Sequence, residues 1–144
     1  MATRCAIGIE HNGKILGKYS HYDGYPEYTG EMLKEHYRNP IKTLPMVALG
    51  DQSVLKKEFM PTSKNHCFDT PDEDVTVFYG RDRGESRVDA QWFDDHIEFI
   101  EHYKGAGCEY FYLWAFDRGS KEYRWVCWDY NHKPIHLYKE KEAA

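Results

Sequence analysis

The run Ile7-Gly8-Ile9-Glu10-His11-Asn12-Gly13-Lys14-Ile15-Leu16 sets an Asn-Gly pair between two alternating apolar segments. Both central residues of a type I′ turn need positive φ, which Asn and Gly tolerate, so the pair predicts a two-residue β-hairpin. Its strands are Thr3–Glu10 and Lys14–Tyr22. The turn fixes the register: His11 faces Lys14, Ile9 faces Leu16, Ala6 faces Tyr19 and, at the open end, Arg4 faces His21. Alternation then puts Arg4, Ala6 and Gly8 on one sheet face with Gly17, Tyr19 and His21. Small residues leading to an arginine and a histidine predict a close-packed surface that opens into a pocket.

Downstream, Thr29 is the expected N-cap of a helix over Gly30–Arg38, stopped by Asn39-Pro40. A second helix starts at Pro40 with Ile41, Leu44, Val47 and Ala48 inward and Gly50 as its C-cap; Pro45 should kink or shorten it. Residues 51–74 are polar and read as a long loop with a short helix at Ser53–Lys57. Val75–Tyr79 reads as a middle strand. Asp89 is the expected cap of a helix over Ala90–Lys104, with Phe93, His96 or Ile97, Ile100 and Tyr103 inward. Cys108–Phe116 is aromatic on both faces, which marks an interior strand, and Asp117-Arg118-Gly119-Ser120 turns it into Glu122–Tyr130.

The fold class is therefore α+β: a mainly antiparallel sheet of an N-terminal hairpin, a middle strand and a C-terminal hairpin, with about three helices packed on it. The 144 residues suit a single domain over 1–144, with 131–144 as a frayed tail.

A 41% hydrophobic and 16% aromatic content supplies a core rich in rings, and a net charge of −5 argues against broad nucleic-acid binding. No apolar run reaches the ~18–20 residues of a membrane span, and the N-terminus has no signal-peptide h-region. Cys5, Cys67, Cys108 and Cys127 are scattered without a C-x-x-C pair, so they read as reduced thiols in a cytoplasm, with no disulfide, metal or cofactor expected.

Two loops concentrate ionisable and aromatic residues beyond what turns require: His21-Tyr22-Asp23-Gly24-Tyr25-Pro26 and Phe78-Tyr79-Gly80-Arg81-Asp82-Arg83-Gly84-Glu85. His21 with Asp23 has the composition of an acid/base pair, although Asp at a turn also caps its own backbone. Arg81 and Arg83 offer forked donors for a phosphate or carboxylate, or an ion-pair network with Asp82, Glu85 and Asp89. His66 and Asp69 lack the local spacing of a metal site. The candidate ligand-binding set is Arg4, His21, Tyr25, Arg81, Arg83 and Glu85, converging on one pocket; in an enzyme, His21 and Asp23 would be catalytic.

These motifs, with Thr3-Arg4, Leu49-Gly50-Asp51 and His66-x-Phe68-Asp69, resemble a family of small proteins encoded by phages and bacterial mobile elements. Members often have Cys where this chain has Ser20 and Trp where it has Tyr22, so a cysteine mechanism at position 20 is not available here. The resemblance implies a phage-type accessory protein in the host cytoplasm. It would act by binding, either inhibiting a host defence factor or sequestering a small anionic, nucleotide-like ligand. One alternative is an enzyme on a nucleotide or other phosphate ester with His21 as acid/base. The other is a protein-docking module contacting its partner through Tyr22, Tyr25 and Tyr28. The oligomeric state is not legible in the sequence.

Overall fold

Asn12 and Gly13 take φ of +53° and +79° and join β1 (Cys5–His11) to β2 (Lys14–Ser20) in the expected register, His11 opposite Lys14 and Ala6 opposite Tyr19. In the computed structural model, which describes residues 2–138, this hairpin lies inside a six-stranded sheet. The further strands are β3 (Gln91–Phe93), β4 (Tyr110–Asp117), β5 (Glu122–Asp129) and β6 (Pro134–Ile135), in the order β3-β2-β1-β4-β5-β6. All neighbours are antiparallel except β1 and β4, which run parallel. The α+β class holds, and β4 is interior as expected, with Tyr112 and Leu113 buried.

Helices cover both sheet faces. A π-helical turn (Pro26–Gly30) leads into α1 (Glu31–His36), followed by α2 (Pro40–Ala48). Leu33, Tyr37, Met46 and Val47 of this region pack against Ile7, Ile9, Leu16, Tyr112, Trp114 and Trp125. The Trp125 indole N–H donates to the Tyr37 carbonyl at 2.8 Å, so this large ring is buried with its polar atom satisfied. On the opposite face α4 (His96–Gly105) places Phe99, Ile100 and Tyr103 on Ala6, Ile15, Phe111 and Leu113.

Several expectations change. The small-residue surface of Ala6, Gly8 and Gly17 is not an open pocket floor, because the Phe99 ring fills it. A Cβ at Gly17 would lie 2.7 Å from that ring. The third strand is β3 rather than Val75–Tyr79, and α4 starts six residues later than Ala90. Asp95, not Asp89, caps it by accepting from the Glu98 N–H at 3.0 Å, which frees Gln91–Phe93 to pair with β2. Thr29 does not cap a helix; its hydroxyl donates to the Asp23 carbonyl at 2.7 Å. In α2 the buried stripe is Thr43, Met46 and Val47. Ile41, two residues and about 200° from Thr43, is therefore 85% exposed. Asn39 caps α2 and Pro45 sits inside it without ending it. No helix forms at Ser53–Lys57. The four cysteines are free, three buried and Cys67 partly exposed.

Residues 131–138 do not fray, because β6 pairs with β5 and Leu137 is buried; 139–144 lie outside the described residues. Among the described residues no helix is long and apolar enough to cross a membrane.

Candidate functional site

Where β2 ends, the chain segment 51–53 runs alongside and ties the two motif loops together. Gln52 bridges Ser20 on one side and Phe78 on the other. The Ser53 carbonyl accepts from His21 N–H (3.0 Å) and Tyr22 N–H (2.8 Å), while Ser53 N–H donates to the Val77 carbonyl. Val75–Phe78 is thus extended and attached to the first hairpin, but through an intervening segment rather than by direct pairing. This delivers α3 (Tyr79–Arg83) and Glu85 to the same sheet end as His21.

The strand pairing stops at Cys5 opposite Ser20, one step short of the expected Arg4–His21 pair, and Arg4 acts on His21 through its charge. The His21 imidazole accepts or donates at Nδ1 with the Tyr19 hydroxyl, 2.7 Å away, and packs edge-on against Tyr22 at 4.5 Å. Burial first, then the Arg4 charge, holds its pKa below the ordinary 6.5. Arg4 itself lies against Gly107 and donates to the Ala106 carbonyl at 3.4 Å. Asp23 has no hydrogen bond to His21 among the described residues; it is exposed at φ +56°. Tyr25 is exposed, and its carbonyl starts the π-helical turn.

The two arginines of the second motif part company. The Arg81 fork is turned inward: it grips the Asp82 carboxylate through Nε and Nη2 (2.8 and 3.0 Å) and reaches the carbonyls of Phe59 (2.6 Å) and Thr76 (3.3 Å). Asp82 also accepts from Phe78 N–H and contacts His66 Nε2 at 3.1 Å, and the Nδ1 of that ring accepts from Asp72 N–H. The Asp72 bond gives His66 an unprotonated Nδ1, so Nε2–H donates to Asp82. Burial alone would raise the Asp82 pKa; the bonds from Arg81, Phe78 and His66 outweigh it and leave it below the usual carboxylate range. Arg81 and His66 therefore fasten the 59–82 segment.

Arg83 points outward. Its guanidinium sits between the rings of Phe68 (4.5 Å) and Tyr79 (4.9 Å), and Nε pairs with Glu85 at 2.8 Å. Its Nη atoms have no hydrogen bond among the described residues. Tyr79 continues the line toward His21: burial raises its phenol pKa, Arg83 and a Ser53 hydrogen bond oppose the rise, and Tyr22 adds to it. The result is a surface strip running Phe68, Arg83, Tyr79, Tyr22, His21, Arg4. A cleft of about 500 Å³ opens beside Phe68 and Ser53, and Asp72, Glu73 and Asp74 line it, which disfavours an anion there.

Behind the strip lie two residues outside the expected site: Lys18, which the sequence reading passed over, and Asp51, quoted there only within Leu49-Gly50-Asp51. Lys18 is fully buried; its Nζ donates to the Met46 carbonyl (2.6 Å) and the Gln52 side-chain oxygen and stands 4.5 Å over the Phe78 ring. Burial holds its pKa well below the ordinary 10.5, against the opposing pull of Asp51. Asp51 accepts from Tyr19 N–H at 2.9 Å, and burial raises its pKa to about 6. Sequence signals existed for both. Lys18 shares an alternating face with Leu16 and Ser20, and Asp51 directly follows the glycine of Leu49-Gly50-Asp51.

No family model, no curated protein and no solved structure matches the chain. What this end of the sheet can do therefore follows from its geometry. Among the described residues, no three His, Cys, Asp or Glu side chains group as a metal site. The strip combines the outward Arg83 guanidinium, a second guanidinium on Arg4 at its far end, an imidazole whose pKa lies below 6.5 and a row of rings.

Proposed function

We propose that the chain is a binding protein that holds a small anionic, nucleotide-like ligand on the strip from Arg83 to His21. The observation that carries this reading is Arg83. Two rings and Glu85 fix its orientation before any ligand arrives, while the Nη edge of the fork remains for an anion. Tyr79 and Tyr22 offer ring surface to a base. The resemblance of the two motif loops to phage-type proteins supports a host-directed role, in which such binding sequesters a host signal or blocks a defence factor.

A thermal-shift screen with ATP and cyclic nucleotides tests it. A ligand at 100 times its Kd stabilises by about 2.7 kcal/mol, and the resulting rise in Tm should vanish in Arg83→Ala while the ligand-free chain remains folded with only a small change in Tm. A flat screen with the native chain contradicts the reading and leaves protein docking. Because a protonated His21 adds positive charge, affinity should fall as pH rises through the His21 pKa, which lies below 6.5.

A second reading, acid/base catalysis on a phosphate ester, is favoured by one observation: Tyr19 bonds Asp51 through its backbone N–H and His21 through its hydroxyl, and burial raises the Asp51 pKa to about 6 while lowering that of His21. Asp51→Asn, which keeps the acceptor for Tyr19 N–H, should abolish any turnover. It should also remove the stability that the protonated acid contributes below about pH 4 and loses as pH rises through about 6. Unchanged turnover, or an unchanged pH profile of urea melts, would count against a role for Asp51.

A further inference from the structure

At the opposite end of the sheet, where β4 turns into β5, a cleft of about 380 Å³ is bounded by Arg38, Trp114, Tyr123, Arg124 and Tyr138. The Trp114 ring is 3% exposed, and its indole N–H is buried without a hydrogen-bond partner. An indole N–H can only donate, and a buried donor left unpaired costs free energy, so the position calls for an acceptor. Tyr123 stacks almost parallel on Trp114, centroids 5.9 Å apart and planes at 12°, yet remains 44% exposed with no hydrogen bond among the described residues.

Two guanidinium groups flank this ring pair. Arg124 is 4.3 Å over the Tyr138 ring, and the Tyr138 hydroxyl is fixed by accepting from Trp125 N–H at 3.1 Å. The only carboxylate that Arg124 approaches among the described residues is Asp117, at 4.0 Å and largely exposed, a weak contact. Arg38 is exposed and makes no ion pair among the described residues. Glu122 supplies the one acid lining the cleft.

We infer that this cleft is a second binding site, for a planar ligand carrying a carboxylate or a phosphate. The anion lies between Arg38 and Arg124, and the ring stacks on Tyr123. The Trp114 N–H is buried beside the stacked Tyr123 ring, so in the complex Tyr123 shifts with the bound ring and the ligand's anion supplies the indole acceptor. The site is independent of the Arg83 strip and stands or falls without it.

Titration of the full chain with benzoate and with phenyl phosphate, followed by the indole N–H signals in a ¹⁵N NMR spectrum, tests this. The Trp114 signal should move downfield as either probe is added up to about 10 mM, a range that detects Kd values near 1 mM. The Trp125 signal, already bonded to Tyr37, should stay in place and report an intact fold. A response to benzoate alone supports a carboxylate ligand, and a response to phenyl phosphate alone a phosphorylated one. In Arg38→Gln, at an exposed position, and Arg124→Gln, at a half-buried one, affinity should fall at least about tenfold. No movement of Trp114 with either probe, or equal movement in both variants, overturns the proposal.

Discussion

Arg81→Ala is expected to lower folding stability by about 3–5 kcal/mol, the range found when one partner of a buried ion pair is removed. The cause is local. Asp82 is 4% exposed and His66 1%, so deleting the Arg81 fork leaves a buried carboxylate facing an uncharged ring. The Phe59 and Thr76 carbonyls lose their donor at the same time. Arg83→Ala removes a guanidinium that is 41% exposed and paired with a half-exposed Glu85, so its cost should stay under about 1 kcal/mol. Urea melts of the two variants separate these roles. Equal losses would mean that Arg81 does not fasten the 59–82 segment. The network should also weaken in acid: the Asp82 pKa is depressed in the fold, so its contribution is complete above the unfolded value of about 3.9 and disappears as pH falls through the folded one.

Lys18 carries the second large effect. Its amine has a lower pKa in the fold than the 10.5 of the unfolded chain. Between those two values the unfolded state binds more protons at this amine, so the Lys18 contribution rises with pH, by up to about 1.4 kcal/mol per pH unit, against the opposite slope of the buried Cys5, Cys108 and Cys127 thiols above about pH 9. The contribution is complete above 10.5 and is lost as pH falls toward the folded pKa. In Lys18→Met, which keeps the volume and removes the titration, this slope should be absent. Melts of both proteins between neutral pH and pH 10 measure the difference; superimposable slopes would show that Lys18 titrates normally.

The legibility of the fold tracked how local its determinants are. Asn12-Gly13 needs nothing beyond its own φ preferences, so the hairpin and its register, down to Cys5 opposite Ser20, followed from sequence; the expected Arg4–His21 pair did not form, because His21 N–H turns to the Gln52 and Ser53 carbonyls. Cys108–Phe116 announced itself by rings on both faces. The third strand did not, because Gln91–Phe93 is three residues long and its pairing depends on Asp95 taking the cap that Asp89 was expected to supply. Val75–Tyr79 has strand composition, but the 51–53 segment occupies the end of β2, and that crossing is a long-range event with no local signature. At the site, Arg81 and Arg83 are indistinguishable in sequence, being two residues apart between glycines. Helix α3 sends one toward Phe59 and the other between Phe68 and Tyr79. Phe68 and Tyr79 joined the strip through contacts made across the chain, Asp51 came to lie behind it, and Lys18 was hidden by its residue type.

The central claim, that an anion binds beside Arg83, is tested most directly by following ¹⁵N NMR shifts of the full chain as ATP is added. The account predicts that the largest changes gather at His21, Tyr22, Tyr79 and Arg83, including the Arg83 Nε–H now paired with Glu85, and that Arg83→Ala abolishes them. Changes confined to other parts of the chain, or shifts of the same size in Arg83→Ala, would contradict it.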